Sequence, residues 1–193
     1  MNAELETLMQ RALQARQENR PQDAKRDRTA ALELCRREGS QSELAIALTG
    51  LAQIERDFDN NQAALAHYEE AIAIYRGANN PLKLAHTIRH VADIHRRERR
   101  YDLAAAGYHE ALTLYRGHHE TSKLDLANAL RGFAILKEET GEDAQARAFW
   151  REAKELYAAV NVGAGVAESS RRLEALDFLD ARPALTLPPP PPE

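Results

Sequence analysis

Helix breakers are nearly missing from this chain. Of 193 residues only nine are glycine and eight are proline, and six of those prolines lie at or after Pro183. Between Pro21 and Pro183 the sole proline is Pro81. With Ala, Leu, Glu and Arg in abundance, the stretch up to Pro183 reads as all-helical. Cysteine is scarcer still: Cys35 stands alone, which excludes an internal disulfide. It falls on the apolar stripe of AALELCRREG, where a buried structural thiol is expected. No apolar run nears the roughly 18 residues of a membrane span. The opening MNAELETLMQ is acidic and helical in pattern, with no cleavable apolar stretch, so a cytoplasmic protein is expected. An excess of positive charge is absent too. The net charge is −4, from 26 basic and 30 acidic residues, and gives no overall pull toward nucleic acid or an anionic membrane. A content of 44% hydrophobic and 29% charged residues excludes a disordered chain, and the length suits one domain or one continuous repeat array.

The signatures of catalysis are also missing. There is no GxSxG nucleophile elbow and no GxxxxGK[ST] phosphate loop. Glu69-Glu70 and Glu138-Glu139 are adjacent on helical segments, point different ways, and are expected to be solvated. No enzyme activity and no cofactor are therefore expected. His86 and His90, at i and i+4, have chelating spacing, but no HExxH pattern accompanies them and His95 falls on another face, so no metal site is expected. His118-His119 are expected in an exposed loop. The arginine-rich run RHVADIHRRERR, Arg89 to Arg100, raises RNA binding as a third-ranked reading. Its interleaved acids and the negative net charge count against it.

What the chain does have is a repeat. YEEAIAIYRG (Tyr68–Gly77) returns as YHEALTLYRG (Tyr108–Gly117), six of ten letters identical. Ala24, Ala64, Ala104 and Ala146 recur at spacings of 40, 40 and 42 residues. Seven residues on come Ala31, Ala71, Ala111 and Ala153, and four beyond those Cys35, Tyr75, Tyr115 and Tyr157. Between the small residues sit Arg28, Tyr68, Tyr108 and Trp150. An upstream track reads LAIALTGLAQI from Leu44, LAHTIRHVADI from Leu84 and LANALRGFAIL from Leu126, with a fainter copy from Val166. Both tracks step as one helix face does. Small residues at fixed slots let helices approach closely, and a large aromatic fills the space beside them. Each unit is thus a helix pair that cannot bury its face alone, so neighbours must stack.

End signals agree with this division. Pro21 and Pro81 suit the first helical turn. Asn80 and Thr121 or Ser122 suit N-caps. Gly39, Gly77, Gly117 and Gly141 are expected as C-terminal stops.

These tracks resemble the tetratricopeptide repeat (TPR) family over about residues 4 to 180: leucine then small residue in the first helix, and Ala64-Tyr68-Ala71 with its copies in the second. The period exceeds the common 34 residues, as in the long-repeat variants typified by kinesin light chain. The resemblance implies an all-α, right-handed helical-repeat solenoid of four TPR-like helix pairs plus a C-terminal capping helix. The units are expected at about 4–40, 41–80, 81–122 and 123–162, with a capping helix at 163–181 and a Pro-rich tail at 182–193. The first unit departs from the pattern, because Arg28 replaces the aromatic and Arg11 a core leucine, and it reads as a cap.

The resemblance also implies a non-catalytic protein–protein interaction scaffold whose first helices line a concave groove. Carried onto this sequence, the lining residues are Gln53, Arg56, His86, Arg89, His90, Asp93, Arg96, Asn128, Arg131, Arg171 and Arg172. Helical spacing independently places His86, Arg89, His90, Asp93 and Arg97 on one polar stripe. Guanidinium forks pair well with carboxylates, so an acidic or C-terminal-carboxylate-bearing peptide is the expected partner. Gly50 and Gly132 fall mid-helix on a lining slot, which points to close approach by a ligand or a neighbouring helix. The alternative reading is a self-assembling structural protein that uses its terminal helices or its tail. Five consecutive prolines in ARPALTLPPPPPE favour a polyproline II end, either free, bound by a proline-recognition domain or inserted in a groove.

Overall fold

Alanine, leucine and arginine favour helix along the whole chain, and what cuts that tendency into pieces is a set of very short turns. The computed structural model describes residues 3–180. Among these it contains nine α-helices and no strand: α1 (Ala3–Gln17), α2 (Pro21–Glu38), α3 (Gln41–Asp57), α4 (Asn61–Gly77), α5 (Pro81–Arg97), α6 (Tyr101–Arg116), α7 (Lys123–Glu139), α8 (Asp143–Ala159) and α9 (Gly163–Asp180). The expected tail lies outside the described residues. No described helix is long and apolar enough to cross a membrane.

Most turns share one device. Asn19, Asp59, Asn79, Arg99 and Asn161 all sit at positive φ between 50° and 59°, and Gly141 at 75°. Short polar side chains tolerate the left-handed region by bonding locally, which accounts for the Asn and Asp positions, while Arg99 takes the same conformation with a long side chain. This corrects part of the glycine expectation. Gly77 is the last residue of α4, two before Asn79, whereas Gly39 and Gly117 do follow α2 and α6 as C-cap residues, in extended and helical conformation respectively. Of the four glycines, only Gly141 takes the left-handed stop. The N-terminal signals fare better. Pro21 and Pro81 open α2 and α5. Asn80 Oδ1 accepts from Lys83 N at 3.2 Å, and Ser122 Oγ from Asp125 N at 3.4 Å. Ser40 and Glu43 add a reciprocal capping box at α3.

Packing follows chain order: the closest contacts lie within α1/α2, α3/α4, α5/α6 and α7/α8, and each pair then meets the first helix of the next. The slots read from the repeat are the core. Ala24, Ala64, Ala104 and Ala146 are fully buried, as are Ala31, Ala71, Ala111, Ala153, Tyr68, Tyr108 and Trp150. Cys35 is buried as well, and burial pushes its thiol pKa up, so it is not an activated thiol. Along the even helices runs a ladder of exposed pairs: Arg36 to Glu70, Arg76 to Glu110 and Arg116 to Glu152, at 3.0, 2.8 and 2.6 Å. Glu70, expected to be merely solvated, is a rung of it. Each such exposed pair contributes at most about 1 kcal/mol.

Candidate functional site

The odd-numbered helices share one face because each reaches the next through a long side chain. Arg16 of α1 pairs with Asp57 of α3 at 2.9 Å. Arg56 of α3 meets His90 Nδ1 of α5 at 2.6 Å. Arg96 of α5 pairs with Glu139 of α7 at 2.7 Å. Arg131 of α7 makes a bidentate pair with Glu168 of α9 at 2.7 and 2.8 Å, and Arg172 of α9 returns to Glu138 of α7 at 2.9 Å. Glu138 and Glu139, expected to be solvated, are thus both engaged.

The expected lining residues are spread along this face, Arg131 in the pair with Glu168 just described. In the middle, Arg56, His86, Arg89, His90 and Asp93 form one cluster, with Arg96 beside it. At one end Gln53 accepts from Arg16 at 3.1 Å. Toward the other end Asn128 Oδ1 accepts from Tyr157 Oη at 2.8 Å. Beyond it, Arg171 and Arg172 border a shallow cavity of about 280 Å3 with Glu168.

The central cluster is more buried than a solvated stripe. Arg89 and His90 are only 9% and 7% exposed. Arg89 Nη1 pairs with Asp93 Oδ2 at 2.9 Å, and Tyr108 Oη donates to Asp93 Oδ1 at 2.6 Å. His90 stacks on Tyr68, with centroids 5.8 Å apart. Its Nε2 lies 2.7 Å from Arg89 Nη2 and 3.2 Å from His86 Nε2. A neutral imidazole has one acceptor nitrogen, so only one of the two guanidinium contacts on His90 is a proper hydrogen bond. Burial first, then the charges of Arg89, His86, Arg56 and Arg16, hold the pKa of His90 well below 6.5. The guanidinium against the ring also makes His86 and His90 a poor start for a metal site. No group of three or more metal-ligating side chains is found among the described residues.

That depressed pKa has a consequence for stability. His90 stays neutral in the fold while an unfolded histidine takes a proton near 6.5. Stability is then complete above that value and falls as pH drops from about 7 toward 5. His67 and His95, also lowered by burial, act in the same direction. His90→Gln is expected to flatten the slope of unfolding free energy, measured by urea denaturation at several pH values, by up to about 1.4 kcal/mol per pH unit.

The mid-helix glycines have a plain role. A Cβ on Gly132 would sit 2.7 Å from the Tyr108 ring, and one on Gly50 would sit 2.7 Å from Arg28 Cζ. In both cases the approaching group is a side chain of the preceding even helix. The slot is general: Arg28 lies over Gly50, Tyr68 over His90, Tyr108 over Gly132, and Trp150 over Arg172 at 6.0 Å. Sequence reasoning missed Arg28, Lys83 and Tyr75 as members of this face. The available signal was that Arg28 alone breaks the aromatic series while keeping glycine opposite.

Among the described residues, the buried guanidinium nitrogens without a hydrogen-bond partner are Arg28 Nη1, Arg56 Nε, Arg89 Nε and Arg96 Nε. The hydroxyls of Tyr68 and Tyr115 are likewise buried without a partner among the described residues, and Arg56, Arg89 and Arg96 are engaged through their other nitrogens by Asp57, Asp93 and Glu139, which leaves Arg28 as the guanidinium with no carboxylate beside it.

Residues 4–77 match the Tetratricopeptide repeat family. No curated protein matches the sequence significantly. Among solved structures, BtubC (BKLC) from P. vanneervenii is 16% identical, with a TM-score of 0.65 over 94% of this chain and 82% of that one. Kinesin light chain nearly identical TPR-like repeats from Podosopora anserina give 14% identity and a TM-score of 0.57 over 95% of this chain and 100% of theirs. The MamA protein gives 12% and 0.58 over 98% and 100%. At these identities the likeness is one of fold. The first two helix pairs match the tetratricopeptide repeat family in sequence, and the described chain as a whole is a TPR-like helical-repeat solenoid.

Proposed function

We propose that this protein is a non-catalytic scaffold that binds an acidic segment of a partner protein along the face of its odd-numbered helices. The observation that carries the reading is the concentration of arginine on that face: Arg56, Arg89, Arg96, Arg131, Arg171 and Arg172 all stand on odd-numbered helices. Guanidinium forks pair well with carboxylates, which an acidic partner would bring. The residues of the site are Gln53, Arg56, His86, Arg89, His90, Asp93, Arg96, Asn128, Arg131, Arg171 and Arg172. Within this set, ion pairs inside the fold hold Arg89, Arg96, Arg131 and Arg172 in place, and Arg171 is exposed at the end. A lone, buried Cys35 suits a reducing, cytoplasmic setting.

Fluorescence anisotropy with an acidic, a neutral and a basic peptide tests the reading. The acidic peptide should bind best. Arg171 and Arg131 are exposed enough to change without unfolding the core, so Arg171→Glu with Arg131→Gln should weaken that binding about ten-fold. Equal binding of all three peptides, or an unaffected double variant, would remove the acidic-partner reading.

A further inference from the structure

We propose that the cavity between α3 and α5 floored by Arg28 is a carboxylate pocket, which seats one acidic side chain of the bound segment. The inference rests on the reading of the odd-helix face as a partner surface, and names the group gripped there and the residue that grips it.

The cavity has a volume of about 280 Å3. Arg28, Thr49, Gln53, Tyr75, Lys83 and His86 line it, and among the described residues no carboxylate does. Arg28 comes from α2 and passes under α3. Its Cζ, Nε and Nη1 would lie 2.7, 2.8 and 2.9 Å from a Cβ on Gly50. The Tyr108 ring and hydroxyl lie at the same 2.7 to 2.9 Å from a Cβ on Gly132. A guanidinium thus occupies the volume that a phenol fills two units later. Unlike that phenol, which donates to Asp93, Arg28 Nη1 is buried without a partner. Burial and the nearby Arg16 charge lower the pKa of Arg28, the signature of a cation held without its counter-charge.

The rest of the lining fits the same ligand. Lys83 is exposed at the rim, its ammonium 5.9 Å from the Tyr75 ring centroid. Tyr75 Oη and Thr49 Oγ1 are 3.5 Å apart, and the Thr49 hydroxyl already donates to Ala45 O at 2.8 Å. His86 leans the other way, toward Asp125 at 3.6 Å. One buried guanidinium balances one negative charge, and its planar fork matches the two oxygens of a carboxylate. A dianion would exceed the buried charge, which favours a carboxylate over a phosphate.

The test is NMR of the full chain, following the Gly50 amide and the Arg28 Nε–H during titration with N-acetylglutamate, N-acetylglutamine and inorganic phosphate. Saturable shifts at both groups with N-acetylglutamate are expected, in the millimolar range. N-acetylglutamine should bind at least about ten-fold more weakly, since it lacks the charge-assisted bonds. Arg28→Tyr recreates the Tyr108–Gly132 packing, so it should keep its melting temperature and lose the shifts at Gly50. Arg28→Met is a second apolar variant should tyrosine not fit.

No saturable response to N-acetylglutamate, an equal response to N-acetylglutamine, tighter binding of phosphate, or retained binding in a folded Arg28 variant would each overturn the proposal. The two readings fail separately. An acidic peptide that binds Arg28→Tyr as tightly as wild type leaves the face standing and removes the pocket. Binding of N-acetylglutamate at Gly50 with no preference for acidic peptide leaves the pocket and removes the extended face.

Discussion

Asp93→Ala should be the most damaging single polar substitution in the protein, lowering the unfolding free energy by about 3–5 kcal/mol. Asp93 is the most buried carboxylate at the central cluster, with Asp57 beside Arg56 and Asp125 beside His86 at its edges. It receives Arg89 at 2.9 Å and the Tyr108 hydroxyl at 2.6 Å. Without it, Arg89 is a buried cation facing Arg56 and His90, and the Tyr108 hydroxyl loses its acceptor inside the core. Urea denaturation measures the loss. A double variant supplies the control: with Arg89→Met as well, the uncompensated charge is gone and a good part of the stability should return. A loss near 1 kcal/mol for Asp93→Ala would instead mean that the cluster is open to water.

Trp150→Ala is expected to cost about 3–5 kcal/mol, the range for removing a large buried aromatic. Trp150 is 0% exposed and packs with Ala134, Ile135, Ala146 and Leu176. Its indole N–H donates to Glu138, the same residue that holds Arg172. The site therefore joins α7, α8 and α9. In a repeat array each unit is stabilised by its neighbours, so the damage should be local. Hydrogen exchange should show protection lost first in α9 and α8, while α3 to α6 keep theirs. Uniform loss along the chain would show that the array unfolds as one unit.

How much of this was legible beforehand can be judged slot by slot. The alanine and aromatic slots were readable because they recur at helical spacing, and burial places every one of them in the core. The central stripe was readable too, since His86, Arg89, His90 and Asp93 fall on one face by counting residues. What these residues touch was not. Arg89 looked like a free groove arginine and is 9% exposed beside Asp93. Gly77 looked like a helix stop, but Asn79 performs that role, because local geometry and not residue type decides where the chain turns.

The sequence by itself determined the helical class, the pairing of helices and which faces meet, because packing periodicity is written in residues three and four apart and copied in each unit. Tertiary structure alone decided which distant group several of these arginines meet. Those partners are 34 to 43 residues away: Arg56 with His90, Arg131 with Glu168, Arg96 with Glu139. Their choice depends on how far one helix is shifted and turned against the next, which no local pattern encodes. The same shift leaves Arg28 over Gly50 with an unanswered charge, and so turns a gap in the aromatic series into the most specific feature of the surface.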